Sequence, residues 1–319
     1  METQFIQAPS AELRVLDLGA LRRIFVKGTA VHNGQKTSAI ETIDTPYTLA
    51  TLRLLVKLKG DWWLDELERR SNPKYIRQRL EGLIKRFGDL SGAKVLDIGS
   101  GSGSSALVML DSGAQSVHGV EPNPDFVALA NQRAQEENLA DKTNFVQITD
   151  TSNLPFDNHK FDLITFNAVL EHIEPQKRPA ILQEAWRCLK PGGLLVITET
   201  PNKIFPYDGH TTHLPFLPWL PLNWAVSLAK KYSRNSPRGL TKEQYIAEGI
   251  VGSSFWQIKK ALPEAVCLNL QGGDARWKIS LKPNRAALSP VLKLSELLLK
   301  TLKIPLAACL PVLDLVFKK

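Results

Sequence analysis

Cysteine is scarce in this chain: three in 319 residues, Cys188, Cys267 and Cys309, widely spaced and with no CxxC pair. That argues against a disulfide framework and a cysteine-rich metal site, and it fits a reducing, cytoplasmic compartment. An apolar leader is also missing. The opening METQFIQAPSAELRV carries acids early and has no hydrophobic stretch, so no signal peptide is expected. No apolar run reaches the roughly 20 residues a spanning helix needs. The nearest, Ile304 to Phe317, is interrupted by Pro311 and Asp314. There is no NPPY-type tetrapeptide for a flipped base and no recognisable RNA-binding module, so no specific nucleic-acid partner is expected despite a pI near 9.3.

What is present is a globular composition, 43% apolar and 23% charged, long enough for one main domain plus additions. The net charge of +8 is uneven. Residues 1–90 hold 15 basic and 11 acidic side chains, residues 91–200 hold 8 and 14, and residues 201–319 hold 17 and 7. An acidic middle with a strongly basic C-terminal third points to a flank that faces an anionic surface.

Three regions follow. Residues 1–90 read as a mainly helical extension. Residues 1–45 show no sustained period, Val15 to Gly19 reads as an isolated strand-like decoy, and Val31 to Thr45 reads as loop. Thr45-Pro46 reads as the start of a first helix, followed by segments around Trp62 to Leu67 and Ile76 to Phe87. Residues 91–282 alternate short β-branched runs with helical patterns, which implies a parallel sheet with crossover helices. The runs Val266 to Leu270 and Trp277 to Leu281 read as its last two strands, antiparallel at the edge. Within this region, about 203–240 reads as a proline-broken, aromatic insertion on the substrate side. Residues 283–319 read as an amphipathic leucine- and lysine-rich tail.

The chemistry concentrates in VLDIGSGSG, residues 95–103. A strand ends at Ile98, and Gly99, Gly101 and Gly103 let the backbone turn sharply and leave bare main chain for a ligand. Ser104 stands where a dinucleotide fingerprint wants its third glycine, so that motif is not matched. Asp97, two residues before the loop, would welcome a positively charged ligand and repel a pyrophosphate. Glu121 follows the second strand, placed to accept both hydroxyls of a ribose. Asp150, beyond the third, can accept from an exocyclic amine.

The ordered set VLDIGSGSG, VEPNP, ITDTSNLPF, FDLITFNAVLEHI and LKPGGLLVITETPN resembles the class I S-adenosylmethionine-dependent methyltransferases, closest to the small-molecule group that includes quinone-biosynthesis enzymes. The likeness covers about residues 90–202. It implies an α/β, Rossmann-like, doubly wound and mostly parallel seven-stranded sheet with an antiparallel C-terminal strand, here with N-terminal helices and a C-terminal helical tail. It implies S-adenosyl-L-methionine as cofactor and S-adenosyl-L-homocysteine as product. Asp97, Gly99, Ser100, Gly101 and Gly103 would hold the methionine part, Glu121 with Pro122 the ribose, Asp150 with Thr151 the adenine, and Asn167 with Ala168 would face the sulfonium. Some quinone O-methyltransferases carry a metal-binding E-x-x-E-H here; Ala168 replaces its first carboxylate, so no metal is expected.

Methyl transfer then needs a nucleophile and a base. His172, His210 and His213 are the candidates, being side chains that titrate near neutral pH. The expected acceptor is a small, lipophilic or lipid-linked molecule with a hydroxyl oxygen. The expected location is cytoplasmic and peripheral on the inner face of a membrane, with the oligomeric state open. The alternatives are a nucleic-acid methyltransferase or binder, and a non-catalytic cofactor-binding scaffold.

Overall fold

The structure, a computed structural model, describes residues 3–72, 76–150, 152–272 and 289–319. The chain divides into two compact units, Met1–Glu81 with Gly99–Thr149, and Gly82–Ile98 with Asp150–Lys319.

The first unit opens with strands, not helices. β1 (Thr3–Ala8), β2 (Ala11–Asp17), β3 (Arg22–Gly28) and β6 (Ile43–Thr45) form an antiparallel sheet in the order β1-β2-β3-β6. β4 (Ala30–His32) and β5 (Gln35–Thr37) form a hairpin. Residues 1–90 are therefore not mainly helical, and Val15 belongs to a strand of this sheet. The physical reason is a period of two carried by small residues: Ala11, Leu13 and Val15 are buried while Glu12 and Arg14 are exposed.

Helix α1 (Leu49–Lys59) starts three residues later than Thr45-Pro46 predicts, because the Thr48 side chain caps it by accepting from the Thr51 amide. Its Leu52, Leu55 and Val56 pack with Leu13, Ile24 and the fully buried Trp63 of α2 (Trp63–Glu68). This core continues to Leu129 of α5 (Pro124–Glu136). The unit also holds α4 (Ser104–Asp111), β8 (Ser116–Glu121) and β9 (Thr143–Gln147).

The second unit contains β7 (Lys94–Ile98), β10 (Phe161–Asn167), β11 (Leu189–Pro201), β12 (Val266–Cys267) and β13 (Val312–Lys318). Its helices are α3 (Gly82–Phe87), α6 (Arg178–Cys188), α7 (Leu222–Tyr232), α8 (Lys242–Ala247), α9 (Phe255–Ala261) and α10 (Ser289–Thr301). β7, β10 and β11 run parallel; β13 runs antiparallel to both β11 and β12. The full strand order is β12-β13-β11-β10-β7-β8-β9, a mostly parallel seven-stranded sheet with its antiparallel strand from the C-terminus.

The last strands depart from the expectation. β12 is two residues long and gives way to a 3₁₀ turn at Leu268–Gln271. The predicted run Trp277 to Leu281 lies outside the described residues. The antiparallel strand is β13, drawn from the end of the predicted tail; among the described residues of that tail, α10 is helical as expected and Leu306–Cys309 forms a 3₁₀ turn. Leu313, Leu315, Val316 and Phe317 are fully buried between two neighbouring strands, so burial on both faces erased the alternation that marks a strand.

Candidate functional site

In the first unit, the loop after β7 carries Gly99, Gly101 and Gly103 at φ of +69°, +51° and +80°. Their left-handed backbone is why glycine is needed here. The Gly99 and Ser100 amides both donate to the Val120 carbonyl, at 2.8 and 3.2 Å. The buried Glu121, at the end of β8, accepts from the Gly101 amide at 3.1 Å and from the Asn123 amide at 3.1 Å. A carboxylate is thus fixed against the loop by main-chain donors. A Cβ on Gly101 would meet nothing within 4 Å, so its missing side chain opens onto space. A Cβ on Gly103 would sit 3.1 Å from Ala130 Cβ and 3.2 Å from Phe145 Cζ, so this glycine serves packing. Pro122 contributes its carbonyl to Gln147 Nε2 at 3.1 Å.

Sequence reasoning missed what holds this loop. Glu66 of α2 is buried and accepts from the hydroxyls of Ser102 and of Ser104, the latter at 2.7 Å. Arg133 of α5, with no exposed surface, donates to the Ser102 carbonyl at 3.2 Å, Ser104 Oγ at 2.8 Å and Tyr47 Oη at 2.9 Å. Burial opposes the charge on Glu66, yet Lys59, Arg69 and Arg133 hold its carboxyl far below the ordinary glutamate range. The sequence signal was the pair of serines on either side of Gly103.

In the second unit, Asp97 is buried and accepts from Thr165 Oγ1 at 2.7 Å, the hydroxyl facing it in register across β7 and β10. Asn167 ends β10 and accepts from Thr198 Oγ1 at 2.8 Å. Ala168 follows at φ +56°, a left-handed turn uncommon for alanine. Asp150 is exposed and accepts from the amide and hydroxyl of Ser152, which hold its carboxyl below the usual range. Thr151 lies outside the described residues.

Two of the three predicted histidines come together, joined by a carboxylate. Glu171 and His172 sit in the turn after β10, and donor atoms of Glu171, His172 and His210 all lie within 4.8 Å of one another. That spread is one a single cation could span, and it is too long for a direct hydrogen bond between Glu171 Oε1 and His172 Nε2. Glu171 accepts from Thr200 Oγ1 at 3.3 Å through Oε2. Its Oε1 has no hydrogen-bond partner among the described residues and lies 3.9 Å from His172 Nε2. Burial pushes this carboxyl up to about 7. His172 Nδ1 is 2.5 Å from the Ala247 carbonyl, which makes Nδ1 the protonated nitrogen and leaves Nε2 its lone pair. Burial lowers both imidazoles below their ordinary value.

His210 is placed by Asp208, whose carboxylate accepts from the amides of His210, Thr211 and Thr212 at 2.8–3.1 Å. Asp-Gly-His-Thr-Thr is the sequence signature of such a turn. Gly249, at φ +83°, leaves room between the partners: a Cβ there would lie 3.0 Å from both Glu171 Cγ and His210 Cε1. His213 stands outside the group; its ring stacks on Tyr207 at 6.4 Å. Asn202 is committed elsewhere, donating to the carbonyls of Ala308 and Leu310. A cavity of about 580 Å³ opens beside the group, lined by Glu199, Phe205, Tyr207, His210, Pro218 and Gly249 among others.

Part of the chain is similar to known methyltransferases. Residues 95–193 match the family described as methyltransferase domain. The chain is 34% identical over 119 residues to a ubiquinone/menaquinone biosynthesis C-methyltransferase of Bartonella quintana, covering 37% of this chain and 45% of the relative. It is 33% identical over 117 residues to phosphoethanolamine N-methyltransferase 2 of Caenorhabditis elegans, covering 36% and 26%. It is 34% identical over 127 residues to erythromycin 3''-O-methyltransferase of Saccharopolyspora erythraea, covering 40% and 39%. The chain thus spans less than half the length of each of these relatives. Their names place the methyl group on carbon, nitrogen and oxygen respectively.

Proposed function

We propose that the chain uses residues 95–193, which match a methyltransferase-domain family, as a class I domain that transfers a methyl group from S-adenosyl-L-methionine to a hydroxyl oxygen of a small, lipophilic acceptor. The observation that carries this reading is the pairing of three left-handed glycines with the Glu121 carboxylate pinned against the Gly101 amide. A ribose-binding acid beside bare backbone is what such a cofactor requires, and the open space off Gly101 fits it. The resemblance adds Asp97, Ser100, Asn167, Ala168, Asp150 and Thr151 as proposed cofactor-binding residues.

When bound, S-adenosylmethionine supplies an electrophilic methyl group, whose transfer breaks the S–CH₃ bond, forms an O–CH₃ bond, leaves the electron pair on sulfur and releases one proton from the acceptor hydroxyl. The chain's part is to align the acceptor, exclude water and receive that proton. His210 lines the cavity and takes the proton; Glu171 and His172 share the charge, and the unpartnered Oε1 of Glu171 has capacity to receive a hydrogen bond. His213 stacks on Tyr207 and so shapes the cavity wall. The apolar wall formed by Phe205, Tyr207 and Pro218 favours a lipophilic acceptor.

Calorimetric titration of the full chain with S-adenosylmethionine and S-adenosylhomocysteine tests the reading. Micromolar binding of both is expected. Folded protein that binds neither would overturn it in favour of a non-catalytic scaffold.

A further inference from the structure

No helix among the described residues is long and apolar enough to cross a membrane. Two helices of the second unit nevertheless turn large apolar side chains outward. α7 buries the small Ala225, Val226 and Ala229 and leaves Trp224, Leu228 and Tyr232 exposed at 67%, 40% and 48%. Those three are spaced by four residues and so lie along one stripe. Just before α7, Phe216 and Trp219 are 58% and 56% exposed. They are held outward, because the Phe216 amide donates to Pro206 and Trp219 Nε1 donates to the Ile204 carbonyl at 2.8 Å. In α10, Val291, Leu294, Leu297 and Leu298 are at least 60% exposed.

Charge accompanies both stripes. α7 ends in Lys230 and Lys231 and contains no acid; α10 carries Lys293 and Lys300, with Lys303 just beyond, against the single acid Glu296. All five lysines are exposed.

We propose that the outward faces of α7 and α10, with the Phe216–Trp219 turn, dock on an anionic lipid bilayer, an inference that rests on the lipophilic acceptor proposed above. Tryptophan and tyrosine beside leucine suit the boundary between headgroup and acyl chain, and flanking lysines suit acidic headgroups. A second copy of the chain is the poorer partner, since it would bring lysines against lysines. Pro218 lines the acceptor cavity, so the Phe216–Trp219 turn links the docking surface to that cavity. A bilayer would then deliver the acceptor from its own interior.

The test is sedimentation of the full chain with phosphatidylcholine vesicles, with and without phosphatidylglycerol. Binding that requires phosphatidylglycerol is expected. It should weaken at least tenfold in the Trp224→Ser/Leu228→Ser or the Leu294→Ser/Leu298→Ser variant, and roughly fivefold for each of Lys293, Lys300 and Lys303 changed to Gln. These side chains are on the surface, and cofactor calorimetry on each variant checks that the fold persists. No binding to either vesicle, equal binding to both, unchanged binding in both serine variants, or dimerisation in place of vesicle binding would each overturn the proposal. A chain that binds cofactor but no vesicle rejects the docking alone; one that binds acidic vesicles but no cofactor supports the docking while rejecting the transferase reading.

Discussion

Glu66→Ala should be the most damaging single change in the first unit. The carboxylate accepts from the hydroxyls of Ser102 and Ser104 and faces Arg133 Nη1 at 3.7 Å. Hydrogen bonds to a charged acceptor are worth about 1.5–3 kcal/mol each. Removing one partner of a buried pair costs about 3–5 kcal/mol, because the other charge is stranded. These two figures describe the same loss and are not added. Lys59 and Arg69 are 25% and 36% exposed and can turn to water. Arg133 has no exposed surface, and its Nη2 already lacks a hydrogen-bond partner among the described residues. The expected loss is therefore about 3–5 kcal/mol in urea unfolding, together with at least tenfold weaker cofactor binding as the loop loosens. Glu66→Gln keeps the shape and one acceptor and should lose less.

The pH dependence has a definite sign. A carboxyl held far below its ordinary value of 4.5 contributes stability that is fully present above that pH and is lost as pH falls below it. The parent should therefore destabilise more steeply below pH 4.5 than Glu66→Gln. An alanine variant within about 1 kcal/mol of the parent, with unchanged cofactor affinity, would refute the idea that α2 holds the loop.

Gly101→Ala should lower cofactor affinity strongly while costing about 1–2 kcal/mol of stability, since only backbone strain opposes it; Gly103→Ala should cost more stability because Ala130 and Phe145 must also shift. Calorimetry paired with thermal melts separates the two. Glu171 has the opposite sign to Glu66: its folded value is raised to about 7, so stability is greatest below pH 4.5 and is lost as pH rises to 7. Glu171→Gln should therefore stabilise the chain at pH 8 by about 3 kcal/mol, spare cofactor binding and reduce turnover about 100-fold or more; unchanged turnover would remove it from the proton path. Truncation after Leu310 should abolish cooperative folding of the second unit, as seen by near-ultraviolet circular dichroism, because it deletes an interior strand.

The glycine loop was legible because its requirements are local. Three glycines after a strand call for a left-handed backbone, which Gly99, Gly101 and Gly103 adopt, and Glu121 at the end of the next strand accepts from the Gly101 amide. The supports were not legible, because Glu66 and Arg133 reach Ser102 and Ser104 across 29 to 38 residues of chain. In the second unit, His172 and His210 were legible as types, but Glu171 was read only as half of a metal motif. The role proposed for it rests on burial and on an oxygen without a hydrogen-bond partner among the described residues, neither of which a sequence displays.

β13 is the same lesson at the scale of the fold. Its Pro311-Val-Leu-Asp-Leu-Val-Phe run looks like a membrane-seeking tail because an acid interrupts an otherwise continuous apolar stretch. In the sheet that acid, Asp314, is 6% exposed and accepts from the Glu199 amide at 3.1 Å, while its neighbours are buried against β11 and β12. The composition that suggested a lipid surface is thus divided between two places. The segment from 312 to 318 spends its apolar side chains inside the sheet, and α10, a few residues earlier, keeps its own outside. Apolar content alone cannot separate these fates. Pairing partners decide them, since an edge such as β11 exerts a specific demand for backbone hydrogen bonds that β13 meets. α10 satisfies its backbone within itself, so its leucines remain available to another surface.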